Sequence, residues 1–139
     1  MLETGDLRAA IAASAALPGM FQPVRLGGRV MIDGGFVNPV PFDHLHGLAD
    51  IVLAVDVVGG PEGDGTALPT RMDAMFGASQ LMMQTITAMK MKARAPDVLV
   101  RPAVGRTRVM DFLRAQEALA MSAGVKDEIK AELDRLLSV

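Results

Sequence analysis

The residues best suited to chemistry are an aspartate followed by two glycines, Asp33-Gly34-Gly35, with Asn38 three residues further on. A carboxylate acts as a general base once another segment brings a hydroxyl within about 2.6 to 3.2 Å of it. Gly34 and Gly35 remove two side chains beside that carboxylate and permit backbone angles that other residues resist, so a partner loop can come close. The triplet also has a plainer reading: a turn after a strand whose aspartate accepts backbone hydrogen bonds. On the three residues alone that plainer reading is favoured, because so short a motif is common by chance.

The other candidates are weaker. His44 and His46 stand two apart with no third ligand at a clear spacing, which is poor evidence for zinc and suits a solvent-facing or helix-end role. The four serines lie at 14, 79, 122 and 138. None stands in a G-x-S-x-G elbow between a strand and a helix; Ala120-Met121-Ser122-Ala123-Gly124 comes nearest, but what precedes it is helical. With no cysteine, thiolate nucleophiles, disulfides and cysteine metal sites are all excluded. The glycine pairs Gly27-Gly28 and Gly34-Gly35 raise a nucleotide-binding α/β domain as a third reading, ranked last because neither phosphate-loop spacing occurs.

These residues need elements to position them. Asp6 caps an expected helix from Leu7 to about Ala16, stopped by Pro18-Gly19. Val24-Arg25-Leu26 and Val30-Met31-Ile32 flank Gly27-Gly28-Arg29, a hairpin with a glycine turn that delivers Asp33 at its far end. Gly34 to Pro41 reads as an ordered loop shaped by Asn38 and Pro41, and a short helix over Phe42 to His46 follows. Ile51 to Val58 is nearly continuous in β-branched residues, as suits a strand buried on both faces of a parallel sheet. Gly59 to Pro69 is the most loop-like stretch and the expected site of mobility.

From about Thr70 to Arg94, Met72, Met75, Phe76, Met82, Met83, Ile86 and Met89 recur at three- and four-residue steps, which predicts a long amphipathic helix ended by Pro96. The preferred reading of this methionine stripe is packing on the sheet; the other is a deformable wall for acyl chains or a membrane-contacting surface. Asp97 to Val100 is a second buried strand, and two helical patterns follow, about Met110 to Ser122 and Lys126 to Leu137. The order of elements is that of an α/β domain.

Composition sets the outer bounds. Half of the 139 residues are hydrophobic, enough for the core of one domain or of one large piece of a domain. Fourteen basic against sixteen acidic residues, without a long run of either sign, argue against a nucleic-acid binder. No apolar stretch reaches the roughly 20 residues that span a bilayer, and the first residues carry no signal-peptide pattern, so a cytoplasmic location is expected. Five phenylalanines and eleven methionines make a core filled mainly by aliphatic residues and methionine.

Read together, Ala13-Ser14-Ala15-Ala16-Leu17-Pro18-Gly19-Met20-Phe21-Gln22-Pro23 and Asp33-Gly34-Gly35-Phe36-Val37-Asn38-Pro39 resemble the second conserved region of patatin-like phospholipases. The resemblance continues in Gly47-Leu48-Ala49-Asp50 with the strand to Val57, in Asp97 to Pro102 and in Met110-Asp111-Phe112, covering essentially the whole chain. With these flanks the functional reading of Asp33 overtakes the turn reading. The resemblance implies a three-layer α/β sandwich with a mainly parallel central sheet. It also implies hydrolysis of lipid carboxylic esters by a Ser–Asp dyad, with Asp33 as catalytic base in an active-site loop of Gly34, Gly35 and Asn38, and neither metal nor organic cofactor.

On that reading residues 1–139 are the C-terminal portion of a patatin-like domain, lacking the half with the nucleophile elbow and the oxyanion loop, and inactive alone. The expected partners are a lipid or acyl-ester substrate, the missing half of the domain or a second copy, and the periphery of a membrane; nucleic acid is not expected. The rival reading is a truncated, non-catalytic patatin-like module that binds lipid or protein.

Overall fold

The computed structural model describes residues 4–61, 66–104 and 114–138. Two compact units divide the chain, Met1–Asn38 and Pro39–Val139.

The first unit opens with helix α1 (Leu7–Ser14), whose N-cap is Asp6, the side chain accepting the Ala9 N–H at 2.9 Å. That bond satisfies one of the donors a helix start leaves orphaned. Leu7 and Ile11 are exposed, and the buried residues are instead Ala13, Ala16 and Leu17. Strands β1 (Val24–Leu26) and β2 (Arg29–Met31) form the expected hairpin, pairing Val24 with Met31 and Leu26 with Arg29. Gly27 and Gly28 both take positive φ, +57° and +75°, as a two-residue primed turn requires. Helix α1 lies against β1.

In the second unit a 3-10 turn, Phe42–Leu45, stands where a short helix was expected. Strand β3 (Leu53–Val55) and β4 (Val98–Val100) pair in parallel, Leu53 opposite Val98 and Val55 opposite Val100. The pairing continues past both ends: Val52 O accepts the Asp97 N–H at 2.9 Å and the Asp56 N–H donates to Val100 O at 2.9 Å. Asp97 also caps the start of the pair, its Oδ2 accepting the Val52 N–H at 2.7 Å. A parallel pair needs a crossover, and helix α2 (Arg71–Ala93) supplies it. Thr70 caps α2 by accepting the Asp73 N–H at 3.2 Å. Helices α3 (Ala115–Met121) and α4 (Val125–Leu137) complete the unit, and α4 lies against β4. The Met110-Asp111-Phe112 stretch and part of the Gly59 to Pro69 loop fall outside the described residues.

The core of this unit is Val40, Phe42, Val52 and Ala54, with Met91 and Leu99 packed on it. Lys90 ties α2 to the 3-10 turn: its Nζ donates to Val40 O at 3.1 Å, pairs with Asp43 and stands 4.9 Å from the Phe42 ring centroid.

The methionine stripe does not pack as the periodicity predicts. Met72, Met75, Met82 and Met89 are exposed, while Gly77 and Thr87 are the buried residues of α2. The packed side is built on small residues because the loop before the helix comes close: a Cβ at Gly77 would lie 3.1 Å from that of Pro61. Helices plus one parallel strand pair make the chain an α/β protein.

Candidate active site

Asp33 follows β2 after one intervening residue and is held by its backbone N–H and by its side chain. Its N–H donates to Ala16 O at 3.0 Å, which anchors the residue to the segment just after α1. Its ψ of 126° turns the chain out of the extended region into a 3-10 turn, Gly34–Phe36, that Asp33 caps. Oδ1 accepts the Gly35 N–H at 2.7 Å. Among the described residues, Oδ2 accepts no hydrogen bond. One oxygen is thus fixed to the backbone, which sets the orientation of the carboxylate.

The loop is closed by the Gly34 carbonyl, which accepts from Val37 N at 3.0 Å and Asn38 N at 2.9 Å. Asn38 therefore shapes the loop through its backbone, whatever else its side chain does. The two glycines act differently from the expectation. Neither takes a positive φ, so backbone freedom is not their role. Gly34 instead leaves open space: a Cβ there would meet nothing within 4 Å.

The histidines sit at the 3-10 turn of the second unit. His44 is exposed in its last turn, and His46 caps its end, its ring edge-on to Phe42 with centroids 5.8 Å apart. The Nε2 atom of His46 is buried with no hydrogen-bond partner among the described residues. No three His, Cys, Asp or Glu side chains gather among the described residues.

The serines are on helices. Ser14 ends α1, and Ser79 is in the middle of α2 with its hydroxyl donating to Met75 O at 3.0 Å. Ser122 caps the end of α3, donating to Ala118 O at 2.9 Å, and Ser138 caps α4, donating to Asp134 O.

One carboxylate escaped the sequence reading. Asp56, 8% exposed, lies at the C-terminal end of β3, its Oδ1 accepting the Val58 N–H at 3.1 Å and its Oδ2 bonded to Arg101 Nε at 3.1 Å. The only signal was its place at the end of the apolar run, opposite an Arg that follows the second run by one residue. A second missed feature is an apolar cleft beside β3, lined by Val40, Phe42, Leu45, Leu53 and Val55 among others.

The family-model match bears on the first unit above all. The patatin-like phospholipase family model matches residues 1–46, the stretch from α1 through the hairpin and the Asp33 loop to the 3-10 turn. An uncharacterized NTE family protein of Mycobacterium tuberculosis is 40% identical over 62 residues, 44% of this chain and 17% of that protein. Proteins named lysophospholipase nte1 in Aspergillus fumigatus and Aspergillus niger are 40% identical over 48 residues, 34% of this chain and 3% of theirs. The match therefore spans a small part of these relatives' length. The family-model match includes the segment that builds the Asp33 loop, and over residues 1–46 the chain is similar to the patatin-like phospholipases.

Proposed function

We propose that this chain forms part of a hydrolase of lipid carboxylic esters, in which Asp33 accepts the proton of a serine hydroxyl supplied from outside residues 1–139. The observation that carries the reading is the state of the carboxylate: Oδ1 on the Gly35 N–H, Oδ2 without a partner among the described residues, and open space beside Gly34. The name lysophospholipase on two of the relatives supports a lipid ester as substrate.

In this mechanism the serine oxygen attacks the ester carbonyl as its proton passes to Asp33 Oδ2, and the proton then goes to the departing alcohol. The acyl-serine is hydrolysed by a water that Asp33 deprotonates, which returns the proton to the serine at the end of the cycle. The N–H donors of an oxyanion hole, which polarise the ester carbonyl, are likewise supplied from outside residues 1–139. In the fold that goes with this activity, β3 and β4 are two strands of a mainly parallel central sheet in a three-layer sandwich. Residues 1–139 are the C-terminal portion of the domain.

The rival, a non-catalytic lipid- or protein-binding module, is favoured by one observation, that no G-x-S-x-G elbow occurs in the 139 residues. Labelling of the protein that carries this chain with a fluorophosphonate ester separates the two. The hydrolase labels at serine and loses most of that labelling in Asp33→Asn; a module that never labels is the rival.

A further inference from the structure

Helix α2 has two apolar sides, and only one is covered. Its inner side is built from Gly77, Thr87 and the half-buried Phe76, Met83 and Met91. Its outer side presents Ala74, Met75, Ala78, Leu81, Met82, Ala88 and Met89, all exposed, with Met82 58% and Met89 67% accessible. No charged residue occurs from 74 to 89. At 1.5 Å per residue those sixteen residues make an uncharged strip about 24 Å long.

The hydroxyl on the outer side is already satisfied. Thr85 donates its hydroxyl back to Leu81 O at 2.8 Å, so covering it with an apolar medium strands no donor. Cations frame the strip: Arg71 at one end, Lys92 and Arg94 at the other, all exposed. The one acid of the helix, Asp73, is bonded to Thr70 and sits half a turn away from Met82 around the axis.

We propose that this outer side of α2 lies on the surface of a lipid bilayer bearing anionic headgroups, with the methionines and Leu81 in the acyl boundary and Arg71, Lys92 and Arg94 on the headgroup charge. An uncharged apolar side with basic ends is the chemistry of an in-plane interfacial helix, and methionine adapts to an irregular apolar partner. No described helix is long and apolar enough to cross a membrane, so α2 lies along the surface and does not span it. A second copy fits the strip less well. Parallel pairing sets Arg71 beside Arg71, and antiparallel pairing sets it beside Lys92; both oppose like charges.

This surface goes beyond the hydrolytic reading, and it is tested without any ester turnover. The purified chain is floated with vesicles of phosphatidylcholine alone and of phosphatidylcholine with phosphatidylglycerol, beside Met82→Glu/Met89→Glu and Lys92→Glu/Arg94→Glu. Binding to the mixed vesicles is expected, weakened at least about tenfold by the methionine pair, whose burial supplies the apolar attraction. The basic pair weakens it further with each charge, about fivefold per cation removed, the conversion of about 1 kcal/mol at an anionic surface. Circular dichroism verifies that both variants keep their helix. No flotation of the wild type, flotation unchanged in the methionine variant, or a dimer in light scattering that the methionine variant abolishes without vesicle binding each overturns the proposal.

Discussion

Asp33 holds the N–H of Gly35 at 2.7 Å with one carboxylate oxygen and leaves the other without a partner among the described residues. The same side chain caps the turn and, on the function proposed for it, serves as the general base. The cap fixes the rotamer, and a fixed rotamer is what a base requires if it is to meet a hydroxyl at hydrogen-bond distance.

Lys90 anchors the crossover helix. Its ammonium bonds the Val40 carbonyl at 3.1 Å, pairs with Asp43 and rests over Phe42. Lys90→Met keeps the apolar stem and loses all three, so urea unfolding should show a loss of about 1 to 3 kcal/mol. In a double-mutant cycle with Asp43→Asn the coupling should be under about 1 kcal/mol, because Asp43 is 42% exposed and the pair is screened.

Thr87 is 2% exposed, and its hydroxyl has no partner among the described residues. Thr87→Val replaces that hydroxyl by a methyl of similar shape and relieves an unsatisfied buried donor. The variant should unfold at higher urea by about 0.5 to 1.5 kcal/mol, against the usual direction for a buried substitution.

Asp56 and Arg101 close the end of the parallel pair. Removing the exposed partner, in Arg101→Met, should cost about 1 kcal/mol. Asp56→Ala should cost more, about 2 kcal/mol, since the Val58 N–H also loses its acceptor. Thermal unfolding of the two variants ranks them.

Local signals were legible wherever one residue type forces a conformation. Gly27-Gly28 marked the hairpin because both take positive φ, and Asp6 and Thr70 marked the starts of α1 and α2 by capping them. Periodicity located α2 to within a residue but misassigned its packed side, since spacing counts apolar residues without saying what approaches them; Pro61 against Gly77 decided that. Asp56 was invisible because its burial comes from a register between strands 45 residues apart. The Asp33 loop was legible as a motif, while the reason first assigned to its glycines, unusual backbone angles, was not what the chain uses.

The most direct test of the account is hydrolysis of a chromogenic fatty-acyl ester by the protein that carries this chain together with its serine segment, comparing wild type with Asp33→Asn, His44→Ala and His46→Ala. General-base assistance contributes about 10² to 10⁴-fold, so a folded Asp33→Asn protein should lose at least about a hundredfold in turnover while both histidine variants stay within a few-fold. Near-normal turnover in folded Asp33→Asn would contradict the assignment of Asp33 as the base, and collapse in a histidine variant alone would place the proton transfer on an imidazole instead.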